Sequence, residues 1–415
     1  MRWVGNVVAG GLYCCPIILV GPSMSQAAGF SNFTLGAGPM GMGNAAVAHA
    51  EGITSIHYNP ALQLEFDGVV TELGLTVVSP EKTLDSSVTM QSYESEDNHY
   101  TPAHFAAGYR LSEKISLGLT LNNPFGLGSE FPDDTVFRYA TTESELTTWD
   151  LNPSIAWRAH DKVDIAAGVR GVRADTTLER MILLDSFGLS DGRQHFEADG
   201  TGYGWNAGVT IRPVDNWSIG LSYRSEVEID FSGTLSFDLP VAGSPLQMVF
   251  PTTSAESDFT LPAQFFGGVA YQPSKKWVFE AAVRWEEYSS YDAQTVTTAQ
   301  PVAGMTEQTI PKNWKDVWGY MLGASYQADS GYRFSVGYLY EEKPVPEETF
   351  EPGASGLDKH TVTVGLGKQF DRLSCRVSLA YDFYQDRDIE NSTYIMNGTH
   401  SQENYSLAFT FGWTF

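Results

Sequence analysis

From residue 67 onward apolar side chains recur at every second position, and the residues between them keep carrying charge. Trp277, Phe279, Ala281, Val283 and Trp285 form one face of such a stretch, against Val278, Glu280, Ala282, Arg284 and Glu286. Phe334, Val336, Tyr338 and Tyr340 alternate with Arg333, Ser335, Gly337 and Glu341. Val377, Leu379, Tyr381 and Phe383 alternate with Arg376, Ser378, Ala380 and Asp382. Successive side chains of a strand point to opposite faces, so period two marks strands with one apolar face. A soluble sandwich explains any one of these stretches but explains the set less well, because its inner face must stay dry. An outer-membrane barrel reverses the assignment: the apolar face meets lipid and the charged face lines a wet or plugged interior.

Such stretches fall near 67–79, 99–111, 114–123, 145–158, 162–178, 202–212, 216–231, 258–272, 276–289, 315–327, 331–342, 358–370, 373–385 and 403–415. Fourteen is an even number, as single-chain bacterial barrels require. The expected fold is therefore all-β, a transmembrane antiparallel β-barrel of 14 strands over 67–415. Closure satisfies every backbone group where no water is at hand. In the stretch from 216 to 231, Trp217, Ile219, Leu221, Tyr223, Val227, Ile229 and Phe231 are expected on lipid. Arg224, Glu226, Glu228 and Asp230 are expected inside, where ion pairing accounts for the charges. The chain ends in alternating Tyr405, Leu407, Phe409, Phe411, Trp413 and Phe415, an ending of the kind barrel assembly machinery reads.

The first 27 residues carry Arg2, an uncharged apolar stretch and the small-residue segment Ser25-Gln26-Ala27, the tripartite form of a signal peptide cleaved after Ala27. Cys14 and Cys15 leave with it, and the remaining Cys375 has no partner for an internal disulfide. Residues 28–66 do not alternate; they are Gly-rich with short apolar pieces and read as an N-terminal hatch folded inside the barrel. With 25 Lys and Arg against 50 Asp and Glu, the net charge of -25 argues against nucleic acid, whose phosphates are held by clustered cations.

The order of several short motifs is similar to that of the FadL/TodX family of outer-membrane transporters for long-chain fatty acids and other hydrophobic compounds. The pieces are Ala28-Gly29-Phe30, Asn59-Pro60-Ala61, Asn123-Pro124-Phe125-Gly126-Leu127, Leu178-Glu179-Arg180, GWNAG at 204–208, YRSEVEIDFSG at 223–233, Trp314-Lys315-Asp316 and Lys343-Pro344-Val345-Pro346. The resemblance implies a hatch closing a fourteen-stranded barrel in the Gram-negative outer membrane, and passive uptake without cofactor or metal. It also implies contact of Arg180 and Lys315 with a ligand head group, ordinary ion pairs with Glu179 and Asp316 being the alternative.

Apolar loop residues are expected to line a capture groove: Phe125, Leu127 and Phe131 after the third strand, and Met181, Ile182, Leu183, Leu184, Phe187 and Leu189 after the fifth. Packing of the loops on one another is the alternative. Pro124 lacks the N–H a ladder needs, and Gly126 allows unusual dihedrals, so Asn123, Pro124 and Gly126 should interrupt the wall. The resemblance makes that interruption a lateral exit, the alternative being that Pro124 only begins the next loop. Phe30, Asn59, Pro60 and Ala61 are the expected hatch positions, as a turn or as a gate.

The ligand is then a long-chain fatty acid or another hydrophobic small molecule, with hydrocarbon uptake as the alternative. Outer-membrane lipid and lipopolysaccharide surround the wall. A surface adhesin or structural barrel without transport is the reading from another class. No enzyme is expected, since none of the 8 histidines lies in a recognisable motif. The acidic run Glu94-Ser95-Glu96-Asp97 is most simply a solvated loop.

Overall fold

The computed structural model describes residues 29–32, 35–241, 243–353, 356–390 and 396–415. The signal peptide assigned to residues 1–27 lies outside them. Fourteen antiparallel barrel strands follow one another around the wall. They are β1 (Val69–Ser86), β2 (Ala103–Ser112), β3 (Ile115–Asn122, then Gly126–Glu130), β4 (Glu143–His160), β5 (Val163–Ile182), β6 (Gly192–Val214) and β7 (Trp217–Arg224, then Val227–Asp238). The rest are β8 (Thr253–Leu261, then Gln264–Ser274), β9 (Trp277–Glu286, then Ala293–Val302), β10 (Met305–Pro311, then Val317–Gln327), β11 (Tyr332–Glu341), β12 (Lys359–Phe370), β13 (Leu373–Tyr384, then Arg387–Ile389) and β14 (Gly398–Thr414). β14 closes on β1 over a long register from Val70 opposite Thr414 to Ser86 opposite Gly398.

Each expected strand has its counterpart. The real ones run further at the end away from the short turns, as β6 does in starting at Gly192. Leu322, Val364, Leu379 and Phe411 stand exposed on the outside, as a lipid-facing surface requires. No helix among the described residues is long and apolar enough to cross a membrane; this chain crosses with strands.

The expectation for 216–231 needs correction in its second half. Arg224 and Ser225 are consecutive buried residues, so the alternation slips by one where β7 breaks. Such a slip moves every later side chain to the other face. Below it Leu221 faces out and Arg224 in. Above it Val227, Ile229 and Phe231 point inward and are buried, while Glu226, Glu228 and Asp230 face solvent. β8, β9 and β10 break beside it, because Arg224 pairs with Gln264, Gln264 with Glu286 and Glu286 with Val317. β7 thus changes character at one level: apolar outside and polar inside below, apolar inside and acidic outside above.

The segment preceding β1 lies buried within the sheet. It forms a short helix (Ala37–Gly41) and two 3-10 turns (Ile53–His57 and Pro60–Glu65). Wall carboxylates hold its backbone: Glu280 accepts from the N–H groups of Val47, Ala48 and His49 at 2.6, 2.8 and 3.1 Å, and Glu72 from that of Thr54 at 3.0 Å. Contact is close enough to need glycine on both sides. Gly43 has φ +62°, and a Cβ on Gly337 would lie 2.0 Å from the Gly43 nitrogen.

Candidate functional site

The short N-terminal stretch Phe30, Ser31 and Asn32 does two things at once. Its aromatic ring fills a box in the upper lumen, and its backbone spans a break in the wall. Phe30 has no exposed surface. Its ring centre lies 4.9 Å from Phe259, 5.0 Å from Tyr288, 5.7 Å from Trp314, 6.0 Å from Phe125 and 6.1 Å from Tyr291. Most of these are edge contacts, the geometry ring quadrupoles favour, with Trp314 stacked. Tyr288 Oη accepts from the N–H groups of Phe30 and Ser31, both at 3.1 Å, and donates to Ser31 Oγ at 3.0 Å. Ser31 Oγ in turn donates to Glu286. The box belongs to a large apolar cluster that includes Leu127, Leu178, Ile182, Phe231 and Phe250.

The wall break follows from Pro124. Pairing of β2 with β3 stops at His104 opposite Asn122, and the upper piece of β3 pairs with β4 alone. Ser31 bridges Phe125 in the vacant place. Asn32 N–H donates to the Pro124 carbonyl at 2.8 Å, and Gly126 N–H to that of Phe30 at 2.9 Å. Below the break Asn123 Oδ1 accepts from the Ala103 N–H at 2.8 Å; above it the Glu96 N–H reaches the Glu130 carbonyl. Between these bounds lies a cavity of about 290 Å³ lined by Asn32, Val78, Tyr100, Pro102, Phe125 and Gly126 among others. Tyr100 packs over Gly128, where a Cβ would meet its ring at 1.8 Å.

Under the box the lumen is charged. Asp150 receives both Arg170 at 2.7 Å and Arg224 at 2.8 Å, all three buried. Arg284 lies between Glu286 and Glu341, and Glu341 also pairs with Lys359. Arg224 donates to the His57 carbonyl at 3.2 Å. Burial pushes the His57 imidazole well below its ordinary value, with Arg224 and Arg170 adding to the effect, so it stands neutral at physiological pH. Asn59 caps the Pro60–Glu65 turn, accepting from Ala61 N–H at 3.1 Å and donating to the Val47 carbonyl at 2.8 Å.

The other expected site residues are spread more widely than one groove. Ile182 and Leu184 are buried in the cluster around Phe30 and Leu189 packs against it, but Leu183 and Phe187 are exposed and Met181 half-buried. Phe131 sits in a separate cluster with Leu84, Phe137 and Met396. Arg180 is buried with two of its nitrogens on Gln194 Oε1, at 2.9 and 3.2 Å, whereas Glu179 takes Arg193 and His195 instead. Lys315 is exposed, its backbone N–H on the Pro344 carbonyl. The buried lysine of that stretch is Lys312. Tyr288, Tyr291 and Phe259 were not among the expected site residues, and Trp314 entered only within a motif beside Lys315, because their contact with Phe30 joins segments far apart along the chain.

Residues 18–415 match the family described as outer membrane protein transport protein (OMPP1/FadL/TodX). A long-chain fatty acid transport protein of Salmonella typhi is 25% identical, over 93% of this chain and 92% of its own. A FadL homologue of Pseudomonas aeruginosa superposes with a TM-score of 0.82 at 16% identity, covering 94% of this chain and 100% of that one. The Pseudomonas putida toluene transporter TodX superposes at 0.72 with 20% identity, over 92% and 98%.

Proposed function

Since the chain belongs to the OMPP1/FadL/TodX family of outer membrane transport proteins, we propose that it takes up a long-chain fatty acid passively across the Gram-negative outer membrane. Residues 1–27 act as a cleaved leader and 28–66 as a hatch. Apolar residues at the loops deliver the ligand to the aromatic box, where it displaces Phe30, and it leaves sideways between β2 and β3 into the bilayer. The observation that carries this reading is the double role of residues 30–32, which fill the box and bridge the wall break together. Displacing the ring therefore withdraws the bridge.

A second reading is uptake of aromatic or aliphatic hydrocarbons, favoured by the five rings around Phe30 and by the exposed position of Lys315. Both cargoes occur among the relatives, one being a fatty acid and one a toluene transporter. Growth of a deletion strain, with and without the gene restored, on oleate and on toluene as sole carbon source separates them. Loss on oleate alone is expected; loss on toluene alone moves the cargo to hydrocarbons, and loss on neither removes transport.

A further inference from the structure

We infer that His99 is a proton donor at the way out, which neutralises a carboxylate ligand as it passes from the wall break into lipid. The inference deepens the fatty-acid reading, and rests on it and on the sideways route. Two cavities meet at this residue. One is the cavity at the break between β2 and β3, lined by His99, Tyr100, Phe125 and Glu145 among others. The other is an apolar concavity of about 1270 Å³ on the outside of the wall, with Val77, Leu322, Val364, Leu379 and Leu407 in its lining. Among the described residues His99 alone is common to both linings. Its Nδ1 lies 2.8 Å from Ser79 Oγ, which leaves Nε2 for a ligand, and the residue is exposed.

An ionised carboxylate cannot follow its tail into hydrocarbon without a large desolvation cost, whereas the protonated acid can. A proton must therefore reach the ligand at the opening, and imidazole is the side chain suited to exchange one near neutral pH. The other charged groups around His99 are all carboxylates. They are Glu145 across the cavity, Asp97 on the same loop, and Glu81 of β1, two residues from Ser79 on the same face and opposite Glu403 of β14. Tyr100 lines the same cavity, but burial, and then Glu145, hold its phenol above the ordinary value. In the step itself the imidazolium gives one proton to the carboxylate and the neutral acid moves into the outer concavity. The neutral imidazole then takes a proton from water at the barrel surface. Glu145 adds selectivity of its own, since its charge opposes an ionised ligand at the same opening. A hydrocarbon needs neither group.

The test is uptake of radiolabelled oleate and of oleyl alcohol, which has the same tail without the charge, by a deletion strain carrying each variant. Binding of oleate to the purified full chain in detergent is measured beside it. At neutral external pH, His99→Gln should slow oleate uptake by about tenfold or more, against the roughly 10²–10⁴ a positioned proton donor can supply. Alcohol uptake and oleate binding should stay within about twofold, less than a lost interaction produces. At about pH 5, near the ordinary carboxyl range, part of the oleate arrives already protonated and the defect should shrink. Glu145→Gln should speed oleate uptake severalfold and leave the alcohol alone, a gain that loss of folding cannot imitate. An effect of His99→Gln that is equal for the two ligands, absent for both, or independent of pH overturns the inference and leaves transport standing. Unaltered protein that binds oleate but carries only the alcohol overturns the fatty-acid reading, and the inference with it.

Discussion

At the scale of single residues, Tyr288 does more than its burial suggests. Its hydroxyl is the shared acceptor for two successive backbone N–H groups and the donor to Ser31. Tyr288→Phe keeps the ring that packs on Phe30 and deletes all three bonds. Two buried donors are then left to find other partners, at roughly 1–3 kcal/mol each. Amide exchange at Phe30 and Ser31 should accelerate by more than about tenfold, since 1.4 kcal/mol is a factor of ten, with the barrel strands unchanged. Unaltered protection at both amides would show that the aromatic packing alone holds the segment. The sequence pointed to Phe30 and to the Pro124 break through a motif, but it offered no way to join them. Phe125 lies 95 residues from Phe30 along the chain and the other ring partners 229 to 284, and nothing local distinguishes a Tyr facing the lumen from one facing lipid. Lys312 and Lys315 illustrate the same limit. Three residues apart in a broken strand, they end on different sides, and only the geometry of the break decides which is buried.

At the scale of the strand, period two was legible throughout and phase was not. All fourteen strands were recoverable because alternation survives a bulge; the face it presents does not. β7 is the clear case. An unbroken alternation through 216–231 assigns Ile229 to lipid and Glu228 to the lumen, while the doubled inward pair Arg224 and Ser225 puts each on the other side. Adjacent substitutions therefore have opposite consequences to those the unbroken pattern implies. Ile229→Ala should cost roughly 2–5 kcal/mol by opening a hole in the apolar cluster, while Glu228→Gln, in solvent, should stay within about 0.5 kcal/mol. The heat-dependent gel shift of the purified barrel, followed against temperature, compares the two. A larger fall for Glu228→Gln would restore the unbroken phase. The breaks in β7 and β8 also help to build the chamber. Above them these two strands turn an apolar face inward, Val227, Ile229 and Phe231 on one and Phe259 and Leu261 on the other, beside Leu146, Val172, Leu178 and Phe196 from unbroken strands.

At the scale of the whole molecule, the stacked layers bear on the proposed route out. A ligand descending from the box would meet Arg170, Arg224 and Arg284, their carboxylate partners, and then the packed N-terminal segment. Leaving apolar contact for that layer costs about 25 cal/mol for each Å² of the ligand re-exposed to polar surroundings. The cavity at the break between β2 and β3 lies beside the box, at Phe125, and in the proposed function it is the way to lipid. On that reading the charged layer acts as a floor, not as a passage, and one displacement of residues 30–32 clears both the box and the break. Gly126 lines that break, and a Cβ there meets only the Leu146 carbonyl, at 3.5 Å, an ordinary contact, so the backbone there has room for a substituent to start. Gly126→Trp should fill the gap from the lipid side while leaving the loops and the box untouched. Binding in detergent is expected within about twofold of the unaltered protein, under 0.5 kcal/mol. Uptake into proteoliposomes should fall to the level of vesicles without protein. Transport at the normal rate through a barrel blocked in this way would mean that the ligand crosses the charged layer after all, with the whole N-terminal segment moving aside, and not its first residues alone.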